Sequence, residues 1–340
     1  MNDDRSLSVS SVSVPRANSK GQLAARESAL EVTTERSQAG GNNWTPAIDA
    51  RMARLEGPVR ELIGSVPDPF ADAAEITLLP DVHYPFHPST GMVTDPAVVG
   101  AVAGYLGNET SADLVVAGSS TESMDLDRTT DYLGYPALEE RFDCRLRDLS
   151  SDRDSRVTVS LSDSEAPVEL SIPDLLLENP VVVVPTLRPT EAGPIAGAMR
   201  TLGRHVEPGV EGRGLSDDRR ARAATNAVEP ELSILDATTV FAGEAFAAET
   251  LFAGDPLGVD TAGTTLLGRD VNDDAVLSTE LGPGQTSIQV SGCDFDALRD
   301  RVPSGDLPPR TTTHPAVSIA YGLYAKVSGD AVPPQLEVDR

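Results

Sequence analysis

The chain has 340 residues, enough to bury a large core as one domain or two. Acidic residues number 53 against 27 basic ones, a net charge of -26, and Lys20 and Lys326 are the only lysines. That balance argues against nucleic acid as a partner, because neutralising phosphates needs clustered Lys and Arg. Uniform acidity with so little lysine is the composition expected of a salt-loving archaeon, where dense carboxylates keep a folded surface hydrated in screening salt. Long apolar-periodic segments argue against intrinsic disorder beyond the N-terminus. No run approaches the length of a membrane-spanning helix, and early acids without an apolar stretch argue against a secretory leader, so the cytosol is expected. Two cysteines, Cys144 and Cys293, make neither a metal nor a disulfide framework.

In chain order, residues 1–45 read as a disordered polar extension, rich in Ser and without a sustained period. Ile48, Met52, Leu55, Val59 and Leu62 recur at helical spacing, with Trp44 as an anchor near the start. Ile76–Leu79 is a short buried strand, and Pro80–Pro88 is a stiff loop carrying His83 and His87. Asp95 and Pro96 open a helix, as a side-chain cap and a first-turn proline do. A second strand at Asp113–Ala117 ends in the small-residue turn Gly118-Ser-Ser-Thr121. A short helix at Pro136–Phe142 precedes a strand near Cys144–Leu149.

Arg156–Leu161 and Val168–Ile172 alternate apolar and polar residues and read as a β-hairpin. Pro180-Val-Val-Val-Val-Pro185 is a continuous β-branched run, as expected of a strand covered on both faces. A helix near 194–205 and a Gly-rich mobile loop at 207–214 follow. A polar helix at 216–228 then carries Arg219, Arg220 and Arg222 on an exposed, salt-bridged face. Strands at 231–235, ending on Asp236, and at 249–252 lead to a helix begun by Asp255-Pro256. The last third adds a strand near 287–290, a short helix from Asp294 and an apolar helix after His314.

Several of these segments, taken in order, resemble domain-of-unknown-function family 362. They are Ile76-Thr-Leu-Leu-Pro80, Met92-Val-Thr-Asp-Pro-Ala-Val-Val99, Asp113-Leu-Val-Val-Ala-Gly118 and Tyr132-Leu-Gly-Tyr-Pro-Ala-Leu138. The series continues through Ile172-Pro-Asp-Leu-Leu-Leu177, Val181–Pro185, Leu232–Ala237 and Asp255–Gly268, so the resemblance covers residues 74–270. Family members commonly carry a Lys-Thr-His-type turn where this chain has Leu187-Arg-Pro-Thr190, and many carry iron–sulfur cysteine clusters. With those cysteines missing here, an iron–sulfur cluster is not expected, and no other cofactor is implied. The resemblance implies a fold and an order of segments; it assigns no catalytic residue.

The expected architecture is α/β, a mainly parallel sheet with helices on both faces and a β-hairpin insertion. It would fill residues 46–302, with a C-terminal helix and tail at 303–340. In such sheets ligands sit beyond the strand ends. His83, His87 and Asp236 are therefore the candidate catalytic residues. Ser119, Ser120, Thr121, Arg188 and Thr190 are the candidates for holding a small anion, Arg188 being suited to bidentate recognition and supported by Arg200, Arg204 and His205 further along. Each has a plainer use: turn formation for the hydroxyls and acids, loop packing for the histidines, a salt bridge for Arg188. Asp260, inside an apolar helix, should have a partner. Two other readings are a non-catalytic binding or assembly protein that kept the fold, and a metal-dependent hydrolase using His83 and His87. No oligomeric state follows from the sequence.

Overall fold

The computed structural model describes residues 6–14, 48–64, 70, 72–121, 124–161, 166–191, 193–209, 214–282 and 287–307. Trp44 and the helix expected after His314 lie outside them. The first element corrects the reading of the N-terminus: Ser6–Ser13 is a strand, β1. Leu7, Val9, Ser11 and Val12 are buried while Ser8 and Ser13 are exposed, and Val9 and Val12 enter core clusters on opposite faces of the sheet, so a segment whose serines suggested a polar extension is a packed strand. Helix α1 (Ile48–Gly64) buries Ile48, Met52, Leu55, Val59 and Leu62, the stripe its spacing foretold.

Strand β2 (Glu75–Pro80), helix α2 (Pro96–Glu109) and strand β3 (Asp113–Gly118) form the expected β-loop-α-β unit. Asp95 caps α2 by accepting from the Ala97 N–H at 3.0 Å, and Pro96 stands where its missing N–H costs nothing. Helices α3 (Leu126–Leu133) and α4 (Pro136–Phe142) lead to β4 (Arg145–Asp148). The hairpin is β5 (Asp154–Val159) and β6 (Val168–Pro173), in register with Val157 opposite Leu170. Helix α5 (Asp174–Glu178) then feeds β7 (Val181–Val184), all four of whose residues are buried.

Helix α6 (Gly197–Gly203) and strand β8 (Glu207–Pro208) follow. Part of the segment expected to be a mobile loop is thus paired: Leu170 and Ser171 of β6 lie opposite Pro208 and Glu207, making the hairpin a three-stranded sheet. Helix α7 (Asp217–Val228), strand β9 (Leu232–Ala237), the small hairpin β10 (Val240–Phe241) and β11 (Ala245–Phe246), strand β12 (Thr250–Gly254) and helix α8 (Pro256–Leu266) come next. Helix α9 (Ala275–Leu281), strand β13 (Ser287–Ser291) and helix α10 (Phe295–Arg299) complete the described elements. On α7 the arginines divide. Arg220 pairs with Asp217 at 2.7 Å, but Arg222 is buried and reaches Glu280 of α9 at 2.6 Å, so the face is not uniformly exposed.

The main sheet has the order β13-β1-β12-β9-β7-β2-β3-β4. Its neighbours are parallel except at β12, which runs antiparallel to both β1 and β9. From β2 the chain moves outward through β3 to β4, then returns to lay β7 and β9 on the other side of β2. The β2–β7 junction is therefore the point at which the direction of winding reverses, the place where open α/β sheets leave a crevice beyond their carboxyl ends.

Alternate residues of the central strands face opposite layers. Val182, Val184, Ile76, Leu78 and Ile234 pack with α1 and α2. Val181, Val183, Leu79 and Val115 pack with α6, α7 and the hairpin sheet. Each such Val or Leu contributes about 1.5–3 kcal/mol by leaving water. A third cluster joins Val9, Leu235 and Phe252 to α8 and α10. Within α8, Asp260 has the partner that its burial demands: it accepts from Ala198 N at 2.5 Å and Met199 N at 3.0 Å in the first turn of α6. Among the described residues no helix is long and apolar enough to cross a membrane.

Candidate functional site

Five strands deliver polar residues to one rim. Asp81 follows β2, Ser119 and Ser120 follow β3, Asp148 ends β4, Arg188 comes four residues after β7, and Asp236 is the next-to-last residue of β9. The junction of β2 and β7 is closed by Thr94, whose hydroxyl donates to Val184 O at 2.5 Å and accepts from Asp81 N at 2.9 Å.

Asp81 is the centre of the arrangement. One carboxylate oxygen accepts from Arg188 Nη2 at 2.9 Å; the other lies 2.9 Å from Arg204 Nη1 and 2.7 Å from His83 Nδ1. Burial alone would raise its pKa, but Arg188, then His83 and Arg204, hold the carboxyl well below its usual range. A carboxylate only accepts, so the proton shared with His83 sits on Nδ1 and the Nε2 lone pair is left as a base. Burial drives the His83 pKa down to about 4, so the ring is neutral at pH 7. Two guanidinium charges then face one carboxylate, leaving the group with one net positive charge in a chain of net charge -26.

The two arginines differ in access. Arg188 is 4% exposed, bound to Asp81 and to Pro189 O; Arg204 is 32% exposed, and among the described residues only its Nη1 meets an acceptor. Beside Arg204, the imidazole Nδ1 of His205 lies 2.7 Å from Ser119 Oγ. Burial, then Arg204, lowers the His205 pKa to about 4. Ser120 has another use: its N–H donates to Asp148 at 3.0 Å, its hydroxyl also donates to Asp148, and it accepts from Leu126 N at 2.8 Å, locking the start of α3.

On the β9 side, Asp236 accepts from Asp95 N at 2.8 Å and from Thr238 N and Oγ1 at 2.9 and 2.6 Å. Burial and the neighbouring Asp95 charge raise its pKa to about 6, while Asp95 itself pairs with Arg51 of α1. The Tyr135 hydroxyl is buried close to Asp95, Asp236 and Asp81, and meets no hydrogen-bond partner among the described residues. Burial first, then those three charges, raises its pKa well above the usual value.

Of the residues singled out in the sequence, His83 and Arg188 meet on Asp81, Ser119 reaches the group through His205, and Ser120 and Asp236 line the same rim. His87 turns elsewhere: its Nδ1 lies 2.5 Å from Ser89 Oγ and caps the turn at 88–90, and burial, then Arg51, lowers its pKa to about 3. Thr121, itself exposed, exchanges backbone hydrogen bonds with the buried Met124, and Thr190 forms a backbone bridge with Gly193. A hydrolase metal held by both histidines needs them on one carboxylate, and His83 alone is there. Among the described residues no three His, Cys, Asp or Glu side chains are grouped to hold a metal ion. Arg204 and His205 entered the sequence reading only as support for Arg188, and Asp148 was not singled out. Asp148 had a usable signal, an acid closing a strand; the two α6-tail residues had none stronger than their position after Arg188. A separate groove of about 200 Å³ between α1, α2 and α4 is lined by Arg60, Tyr105, Arg141 and Phe142, and by none of the rim residues.

No curated protein matches the chain. Among solved structures it is similar to a crystal structure of a Thermotoga maritima protein from a structural-genomics consortium, at 10% identity and a TM-score of 0.34. That similarity covers 54% of this chain and 50% of the other, so the chain matches half the length of that protein. The model of one family, a domain of unknown function designated DUF362, matches residues 76–271, more than half of the chain, and the protein belongs to that family.

Proposed function

We propose that the protein binds a small organic anion in the crevice beyond β2 and β7, with Arg204 pairing to it and His83 positioned to move a proton. The observation that carries this reading is the convergence of Arg188 and Arg204 on the single carboxylate of Asp81 at the winding reversal. Arg188 neutralises Asp81 from behind and fixes it; Arg204, one third exposed, keeps guanidinium edges for a carboxylate or phosphate group. His83 is held in one tautomer by Asp81, the orientation a general base requires. Ser119, Ser120 and Asp236 shape the rim around this group.

The acid surplus and near-absence of lysine fit a protein that works dissolved in concentrated salt in the cytosol. There, screening removes long-range attraction, so recognition falls to short hydrogen-bonded contacts such as those Arg204 offers. Titration calorimetry with malate and with inorganic phosphate, on wild type and Arg204→Gln at fixed salt, tests the reading. Loss of one charge-assisted contact should weaken binding about tenfold or more. Equal affinity for the two proteins, or no binding of either anion, would remove it.

A further inference from the structure

We propose that Ser119 is a nucleophile and His205 its general base, acting on an ester whose acyl part carries a negative charge. Three observations lead there. The hydroxyl and imidazole are 2.7 Å apart across 86 residues, within reach for direct proton transfer, and both side chains are only half-buried. Of the two adjacent serines, Ser120 is committed to Asp148 and Leu126, whereas Ser119 Oγ is directed at an imidazole. Third, burial and then Arg204 keep the His205 imidazole neutral and able to accept a proton, against the smaller opposing pull of Asp81 and Asp148.

The step balances without a cofactor. Ser119 Oγ attacks the ester carbonyl carbon and its proton passes to His205 Nδ1. The tetrahedral intermediate then expels the alcohol oxygen, which takes that proton. Water attacks the acyl-serine, gives a proton to His205, and releases the acid as Ser119 regains its hydrogen. The net reaction is ester plus water to acid plus alcohol. The choice of an anionic acyl group rests on the anion reading, since Arg204 adjoins His205 in sequence and acts on its ring.

The test is labelling of the full-length protein with an alkyl fluorophosphonate, followed by peptide mass spectrometry; here Oγ bonds to phosphorus and fluoride leaves. The adduct should fall on Ser119, and His205→Gln should slow its formation by roughly a hundredfold, the scale of general-base assistance. Site mapping in wild type needs no variant to fold. No adduct, an adduct on another residue, or an unchanged rate in His205→Gln would overturn the proposal. Malate present during labelling separates the two ideas. If it binds while Ser119 stays unlabelled, only the nucleophile falls. If Ser119 is labelled at a rate malate does not slow, the anion reading falls and the anionic acyl group with it, while the nucleophile stands.

Discussion

Asp81 and Arg188 are 107 positions apart in the chain and 2.9 Å apart in space, and they join the ends of the two strands between which the sheet's winding reverses. Both side chains are almost wholly buried. The pair is at once a clamp across the switch point and the support of the more exposed groups around it.

Breaking that pair from one side leaves a charge in the interior with no partner. Asp81→Ala is expected to cost about 3–5 kcal/mol in a urea unfolding series, because Arg188 then stays buried and unpaired. Arg204→Ala, at a more exposed site, should cost less than about 1 kcal/mol. Similar losses for the two variants would contradict the difference in burial.

Titration of Asp260 gives a signed pH effect. Burial raises its folded pKa to about 7, above the unfolded value, so its contribution is full below the ordinary carboxylate pKa and is lost as pH rises through about 7. His83 and His205 act in the opposite sense: with folded values of about 4, they cost stability as pH falls below 6.5. Subtracting Asp260→Asn from wild type cancels the histidines. The stability difference, wild type minus variant, should shrink between pH 5 and pH 8, and a difference flat in pH would refute the assignment.

Two glycines should respond oppositely to alanine. Gly197 has φ of +60°, and an added Cβ would lie 2.6 Å from the Asp260 carboxylate, so Gly197→Ala should destabilise by about 1–3 kcal/mol. Gly107 lies inside α2, where an added Cβ makes only ordinary contact, 3.7 Å from the Leu114 side chain, and Gly107→Ala should stabilise by about 0.5–1 kcal/mol. Thermal unfolding at one salt concentration reads both.

Cysteine reactivity should separate as well. Burial, then Glu139, pushes the Cys144 thiol up to about 11, whereas Cys293 is only half-buried. Iodoacetamide should therefore modify Cys293 first in the folded protein, with Cys144 reacting only on unfolding. Equal rates by peptide mapping would be inconsistent with this packing.

What could be read from the residues was local. The Asp-Pro helix starts at Asp95 and Asp255 and the run Val181–Val184 each carry their own reason, and each stands where that reason puts it. Strand order carried no such signal, because it depends on which distant segments share a face. The pairing of Arg204 with Asp81 and of His205 with Ser119 follows from that order, so those contacts could not be foreseen. Residues 6–13 were misread because five serines among eight residues imitate a polar linker, while the burial of Val9 and Val12 comes from distant segments packed on the two faces of the sheet.

Strand β1 sets the timing of assembly. It is synthesised well before its partners, Thr250–Ala253 and Ser287–Ser291, near the other end of the described chain. A ribosome must release more than two hundred further residues before either partner exists, so a strand made early is among the last to find its place. Folding of this edge of the sheet waits for synthesis of β12 and β13, and a chain truncated before β12 would keep the β2–β7 junction while leaving Ser6–Ser13 unattached.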